Sequence, residues 1–239
     1  MTQDLGDKAL TAIRSERRIG PHFGPRRLDV AEDGTATIEA EVENVAIKRL
    51  ALERLAAVPG ITAVIDRLRV KPAMATSDDG ILDELRKAYY DEPSLRQLAL
   101  KEREHGTLNL VRDAFDEARG EIEIEVYDGV IILNGRVPGL ASKRLAGVLA
   151  WWIPGSRDVV NGIAVEPPEE DAPIRIQEAV RIALDKDPFV DAEQVRVGVH
   201  NRTVRLTGCL PRDARDAAEW DAWYVFGVDD VINEIELVS

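Results

Sequence analysis

Asp128-Gly129-Val130-Ile131-Ile132-Leu133-Asn134-Gly135-Arg136-Val137 is followed, one helical stretch later, by Pro154-Gly155-Ser156-Arg157-Asp158-Val159-Val160-Asn161-Gly162-Ile163-Ala164-Val165. The same outline occurs twice more. Upstream it is Asp33-Gly34-Thr35-Ala36-Thr37-Ile38-Glu39-Ala40-Glu41-Val42, then Pro59-Gly60 and Ile61 to Val70. Downstream it is Asn201-Arg202-Thr203-Val204-Arg205-Leu206-Thr207-Gly208-Cys209-Leu210, then Gly227-Val228 and Asp229 to Ile235. The first two copies superpose without a gap at an offset of 95 positions; the third follows the second at 73 before its helix and 72 after it. A repeat of this period means that one supersecondary unit recurs, and it sets the architecture before any single element does.

Within the second copy, Glu121-Ile122-Glu123-Ile124-Glu125-Val126 alternates strictly, the pattern of a half-buried strand with its glutamates in water. Asp128-Gly129 is a tight turn into the more apolar Val130–Leu133, so the two runs form an antiparallel hairpin. The third copy repeats this with Val195, Val197 and Val199 before its turn, and the first with Leu28 and Val30. A helix follows, as in Val45–Ala57, and is stopped by Pro59-Gly60 or Pro154-Gly155. The alternating Val64, Asp66, Leu68, Val70 then reads as a third strand, which a crossover helix places parallel to the second. A further helix precedes each hairpin, clearly over Leu5–Ser15 and Ile174–Lys186. The expected fold is therefore α+β: three tandem α-β-β-α-β modules, each a mixed three-stranded sheet with two helices on one face. The middle module has extra material. Either Ile81–Tyr90 opens it and Arg96–His105 starts an inserted charged helix, or Thr107–Arg119 is the opening helix; two consecutive helices are expected, their register open. Module boundaries fall at 1–73, 79–168 and 171–239, with turn-rich Lys71–Gly80 and proline-stiffened, acidic Glu166–Pro173 as linkers.

Composition is ordinary for a globular chain, 45% hydrophobic and 31% charged, with a net charge of −13. That charge is uneven: residues 1–73 hold 12 Lys and Arg against 11 Asp and Glu, residues 74–168 hold 11 against 17, and residues 169–239 hold 8 against 16. The acidic modules would be repelled by phosphate backbones, which argues against nucleic acid as a partner. The lone Cys209 excludes an internal disulfide and reads as an ordinary strand thiol. The start, Met-Thr-Gln-Asp-Leu-Gly-Asp-Lys, has no apolar signal region, from which a cytoplasmic location is expected.

Leu133-Asn134-Gly135-Arg136-Val137 with Val160-Asn161-Gly162-Ile163, and Leu206-Thr207-Gly208-Cys209-Leu210 with Gly227-Val228 and Ile232-Asn233-Glu234-Ile235, resemble the BON domain of bacterial osmotic-shock proteins. The first copy departs from it, with Ala40 for the glycine and Asp66 for the asparagine. The resemblance implies a non-enzymatic binding module associated with phospholipid or membrane attachment and with osmotic or envelope stress, usually periplasmic. It also implies a second role, since some cytoplasmic members joined to a peptidoglycan-binding-type module sense potassium. A phospholipid surface, a small cation and a protein partner are the candidate partners, and no cofactor is expected.

The candidate residues follow from the differences between copies. Gly135 and Gly208 serve backbone geometry, and Asn161 and Asn233 cap a turn or bond across the sheet. Trp151-Trp152 and Trp223-Tyr224 end the crossover helices of the second and third copies, where the first has Ala56-Ala57. Adjacent helical positions diverge by about 100°, so only one of each pair faces the core; the other meets a module interface, a partner or a membrane boundary. Arg17, Arg18, Arg26 and Arg27, with Arg14 and His22, form a basic stretch that reads as solvated surface or an anion contact. The acidic runs Asp229-Asp230 and Glu169-Glu170-Asp171 lack calcium-loop spacing. No nucleophile motif, phosphate loop or metalloprotease motif occurs, and His22, His105 and His200 lie in different modules.

Overall fold

The computed structural model describes residues 2–104, 106–115 and 120–238, and these divide between two units, Met1–Lys71 and Pro72–Ser239. The first unit runs α1 (Thr2–Arg14), β1 (Arg27–Val30), β2 (Thr35–Val42), α2 (Val45–Ala56), β3 (Ala63–Val70). Asn44 starts α2 by accepting the Ile47 amide at 3.0 Å. β1 lies antiparallel to β2 and β3 parallel to it, as a hairpin followed by a crossover requires. Ala9 and Ile13 of α1, Ala51 and Leu55 of α2, and Ala36, Ile38 and Leu68 of the sheet make the core.

The second unit runs α3 (Asp78–Asp91), β4 (Ala99–Glu104), β5 (Thr107–Arg112), β6 (Glu121–Tyr127), β7 (Val130–Val137), α4 (Leu140–Trp152), β8 (Asp158–Asn161), β9 (Ala164–Val165), α5 (Pro173–Lys186), β10 (Val195–His200), β11 (Thr203–Leu210), α6 (Arg212–Tyr224) and β12 (Asp230–Leu237). It contains two sheets: β10-β11-β12, with the pairing seen in the first unit, and β5-β4-β6-β7-β8, to which β9 adds a sixth strand beside β7.

The expectation of an extra helix in the middle module is corrected. Ile81–Tyr90 lies in the opening helix α3, but the run after it forms the strand pair β4–β5, so the middle sheet has six strands rather than three. Lys-Glu-Arg-Glu favours helix on propensity, yet within β4 Leu100 and Glu102 are buried while the alternate Lys101 and Arg103 pair with Glu121 and Glu123 of β6. The burial of Glu102 hid that period of two. Its carboxylate is held on the core side by two hydrogen bonds from Arg86, at 2.7 and 2.8 Å. The proposed helix over Thr107–Arg119 is β5 in its first half; His105 and residues 116–119 lie outside the described residues.

The repeated glycines have a common cause. Gly135 and Gly208 have φ of +102° and +144°, and each sits opposite the first strand of its hairpin, paired with Ile122 and Val195. A Cβ there would lie 2.3 Å from the Glu121 carbonyl oxygen and 1.9 Å from that of Gln194. In the first unit the β1–β2 pairing ends at Arg27 and Glu39, one residue before Ala40. β1 therefore does not cross over position 40 as β6 and β10 cross over Gly135 and Gly208, and a side chain fits.

The asparagines tie the last strand to the crossover helix. The Asn161 side chain donates to the Lys143 carbonyl at 2.8 Å and accepts from the Ile163 amide at 3.3 Å. Asn233 does the same with Arg215 and Ile235, at 3.3 and 3.1 Å. Asp66 keeps the second bond, accepting from the Leu68 amide at 2.8 Å, but cannot donate. Lys48, at the position equivalent to Lys143, reaches back with its buried ammonium to bind Asp66 and the Leu68 carbonyl. Asp66→Asn is expected to cost the first unit about 2 kcal/mol, because it removes the carboxylate facing a buried ammonium. Lys48→Met in that background should recover most of the loss. All tryptophans and tyrosines lie beyond residue 72, so far-UV circular dichroism in urea, compared with tryptophan emission, isolates the first unit's transition.

Candidate functional site

Helices α4, α5 and α6 meet in the second unit, and the groups joining them come from both of its modules. Trp151 stacks on Tyr224 with ring centroids 5.5 Å apart and planes 9° from parallel. The indole of Trp152 donates to Asp221 Oδ1 at 2.8 Å. Trp223 is fully buried in the third module's core, so in α6 one member of the aromatic pair faces the core and the other faces the neighbouring module. In α4 both tryptophans are half-buried, and both reach α6.

Ion pairs flank the aromatics. Arg144 of α4, 1% exposed, binds both oxygens of Asp171 at 2.7 and 2.8 Å and donates Nε to the Phe226 carbonyl at 2.8 Å. Lys143 lies 4.4 Å over the Phe226 ring, and burial, with the charge of Arg144, holds its ammonium below the ordinary lysine range. Glu169 of the linker accepts the Leu140 amide at 2.7 Å, at the uncapped start of α4. Lys186 reaches Glu92 at 2.8 Å, linking the end of α5 to the loop after α3. Burial raises the pKa of Asp221, pushed up to about 8, against the bond from Trp152 and with the help of nearby Asp187. Burial also raises the Tyr224 phenol, with smaller contributions from the same two carboxylates.

The acidic runs are engaged in this framework: Glu169 also pairs with Arg175, Asp171 with Arg144, and Asp229 with Arg202 at 3.0 Å. Among the described residues no group of three or more His, Cys, Asp or Glu is placed to hold a metal ion. The basic stretch of the first unit is exposed, and much of it is neutralised locally: Arg27 pairs with Asp29, Arg26 lies 3.8 Å from Glu39, Arg18 lies 3.6 Å from Glu16, and Arg14 donates to the Phe23 carbonyl. Arg17 and His22 are exposed beside them, and Cys209 is an exposed strand thiol.

One surface was missed by sequence reasoning. The face of α5 opposite its buried Ile176, Ala179, Val180, Ala183 and Leu184 carries Ile174, Arg175, Glu178, Arg181, Ile182 and Asp185, a stripe spanning about 120° of the helix. Ile174 is 57% exposed and Ile182 39%. A cavity of about 60 Å³ between α4 and α5 is lined by Arg175 and Ile182 on one side and Leu145 and Val148 on the other. The signal was present in the sequence. Two isoleucines fall on the polar stripe of an amphipathic helix, flanked by arginines in an otherwise acidic module.

A pair of modules built on the hairpin, crossover helix and parallel third strand, packed through their helices with polar groups spent on the junction, defines a small α+β tandem-domain unit. The BON domain family matches residues 109–167 and 175–239, and the chain belongs to that family. The first match begins in β5 and leaves α3 and β4 outside. Residues 1–71 lie in neither match, although they share the element order. Among curated proteins, the chain is 30% identical over 125 residues to the outer membrane lipoprotein DolP of Haemophilus influenzae, covering 51% of this chain and 65% of that protein. It is 30% identical over 135 residues to the 21 kDa hemolysin of Actinobacillus pleuropneumoniae, covering 55% and 70%. Among solved structures, the C-terminal domain of CdsD, a structural protein of the type III secretion system of Chlamydia trachomatis, aligns over 99% of this chain and 98% of that one, at 14% identity and a TM-score of 0.25.

Proposed function

We propose that the second unit is a non-catalytic module that docks on a phospholipid surface through the exposed stripe of α5. The observation that carries this reading is the pair Ile174 and Ile182, exposed on a helix face where Arg175 and Arg181 stand beside them. Such a face sinks its apolar side chains below the headgroups while the guanidinium groups stay at the phosphate level. The outer membrane lipoprotein among the relatives lends the reading support. No helix among the described residues is long and apolar enough to cross a membrane, so attachment by this unit's helices would be interfacial.

Charge sets the character of this attachment. Residues 72–239 hold 19 Lys and Arg against 33 Asp and Glu, so the body of the unit is repelled by an anionic surface, and the stripe, with Arg175 and Arg181 balanced by Glu178 and Asp185, carries no net charge to offset that repulsion. Binding then depends on apolar insertion. In flotation with vesicles of zwitterionic lipid containing a minor anionic fraction, raising the salt should leave binding unchanged or strengthen it, unlike a polybasic anchor. Ile174→Asp with Ile182→Asp should lower the bound fraction more than about tenfold, since each isoleucine contributes about 1 kcal/mol or more on insertion. An unaltered bound fraction in the double variant, with tryptophan emission as in the parent, would refute the reading.

A further inference from the structure

Asp221 occupies an unusual place for an acid. It is 2% exposed, and at the offset of 72 positions that relates α6 to α4 its counterpart is the buried core residue Leu149. Its Oδ1 accepts the Trp152 indole across the module junction, while Oδ2 accepts no hydrogen bond from a described donor. The groups that face it are Trp152 from α4, Asp187 from the C-terminal end of α5, and Tyr224 from its own helix. Asp187 already uses one oxygen to accept the Phe189 amide at 2.8 Å. The neighbouring cation Lys186 is directed to Glu92, and no described cation stands among the groups acting on Asp221. Two carboxyls thus meet with no described cation acting on Asp221, beside the only indole bond that joins α4 to α6 among the described contacts.

We infer that the Asp187–Asp221 carboxyl pair is a proton-operated latch between the two modules of the second unit. With one proton held between them, the pair can hydrogen-bond and the junction stays closed. With both ionised, Asp187 repels a carboxylate at Asp221 that is itself shut away from water, α6 loosens from α4, and the Trp151, Trp152 and Tyr224 rings become accessible. The direction follows from linkage. Burial lifts the Asp221 acid from its ordinary 3.8 to about 8, so the closed junction binds more protons than the open one between those values. Closure is complete below that window and weakens as pH rises through it, by about tenfold in the docking equilibrium for each pH unit. This inference does not depend on the lipid reading.

The test uses the full chain, between pH 5 and 9. Carboxyl carbon NMR should show Asp221 titrating with a midpoint near the upper end of that range. Acrylamide quenching of tryptophan emission should rise over the same interval. Asp221→Asn, whose amide can donate to Asp187 without a proton being taken up, should remove the pH dependence of quenching. Asp187→Asn should move the Asp221 midpoint downward. An Asp221 midpoint in the ordinary carboxylate range would overturn the inference, even if the asparagine variants fail to fold. So would a midpoint that shifts on adding potassium, sodium or calcium at constant ionic strength, which would mean that the pair holds a metal cation.

Discussion

Arg144→Ala should lower the stability of the second unit by about 3 kcal/mol, read from the urea dependence of tryptophan emission. This guanidinium is 1% exposed and makes three hydrogen bonds, two to Asp171 in the linker and one to the Phe226 carbonyl beyond α6. Its removal leaves Asp171, partly open to water, without its partner, and leaves the Phe226 carbonyl without its donor at a junction packed around it. Alanine also opens a void next to the existing cavity between α4 and α5. Arg144→Lys should recover less than half of the loss, because a single ammonium cannot serve a bidentate carboxylate and a separate carbonyl at once. A loss below about 1 kcal/mol for the alanine variant would mean that this ion pair is incidental to the junction.

Gly208→Ala is expected to cost more, about 3 to 5 kcal/mol. A φ of +144° is strained for any L-residue, and the added methyl would sit 1.9 Å from the Gln194 carbonyl oxygen. Relief would require the β10–β11 pairing to part at Val195, where the hairpin meets the core. The reverse change in the first unit, Ala40→Gly, should cost only about 1 kcal/mol, the ordinary penalty of a glycine in a strand, since the β1 pairing has ended before position 40. Denaturant midpoints of the two variants, followed by tryptophan emission and by circular dichroism respectively, check the asymmetry. Equal costs would contradict the account of why one copy dispenses with its glycine.

These variants also mark what could be read from the sequence. The hairpin, crossover helix and parallel third strand were legible because alternation, Asp-Gly turns and Pro-Gly stops agree in the first two copies, and the third keeps the alternation with Asn201-Arg202 at its turn and Gly227 after its helix. The role of the glycine was legible; the reason position 40 escapes it was not, because that depends on where β1 stops pairing. The strand β4 was hidden by composition: Lys101-Glu102-Arg103-Glu104 has helical propensity, and only the Arg86 partner of Glu102 reveals a core-facing side. The aromatic helix ends stood out in the sequence, and geometry assigns two of them to each other, Trp151 on Tyr224. Asp221 was passed over although the repeat offset aligns it with Leu149, since a single acid among 44 acidic residues carries no signal until its surroundings are known. The α5 stripe is masked for a different reason: Ile174 and Ile182 sit among the charged residues of a helix whose buried Ile176, Val180 and Leu184 already account for its apolar period, and only their exposure sets them apart.

The central claim, that the second unit meets lipid through α5, is tested most directly by where a probe changes environment. With Cys209 replaced by serine, a polarity-sensitive fluorophore is attached at Glu178→Cys, between Ile174 and Ile182 on the stripe, or at Tyr127→Cys, a position 74% exposed at the end of β6. On adding phospholipid vesicles, the account predicts a blue shift of the probe at 178 and an unchanged spectrum at 127. A shift at 127 with none at 178 would contradict it.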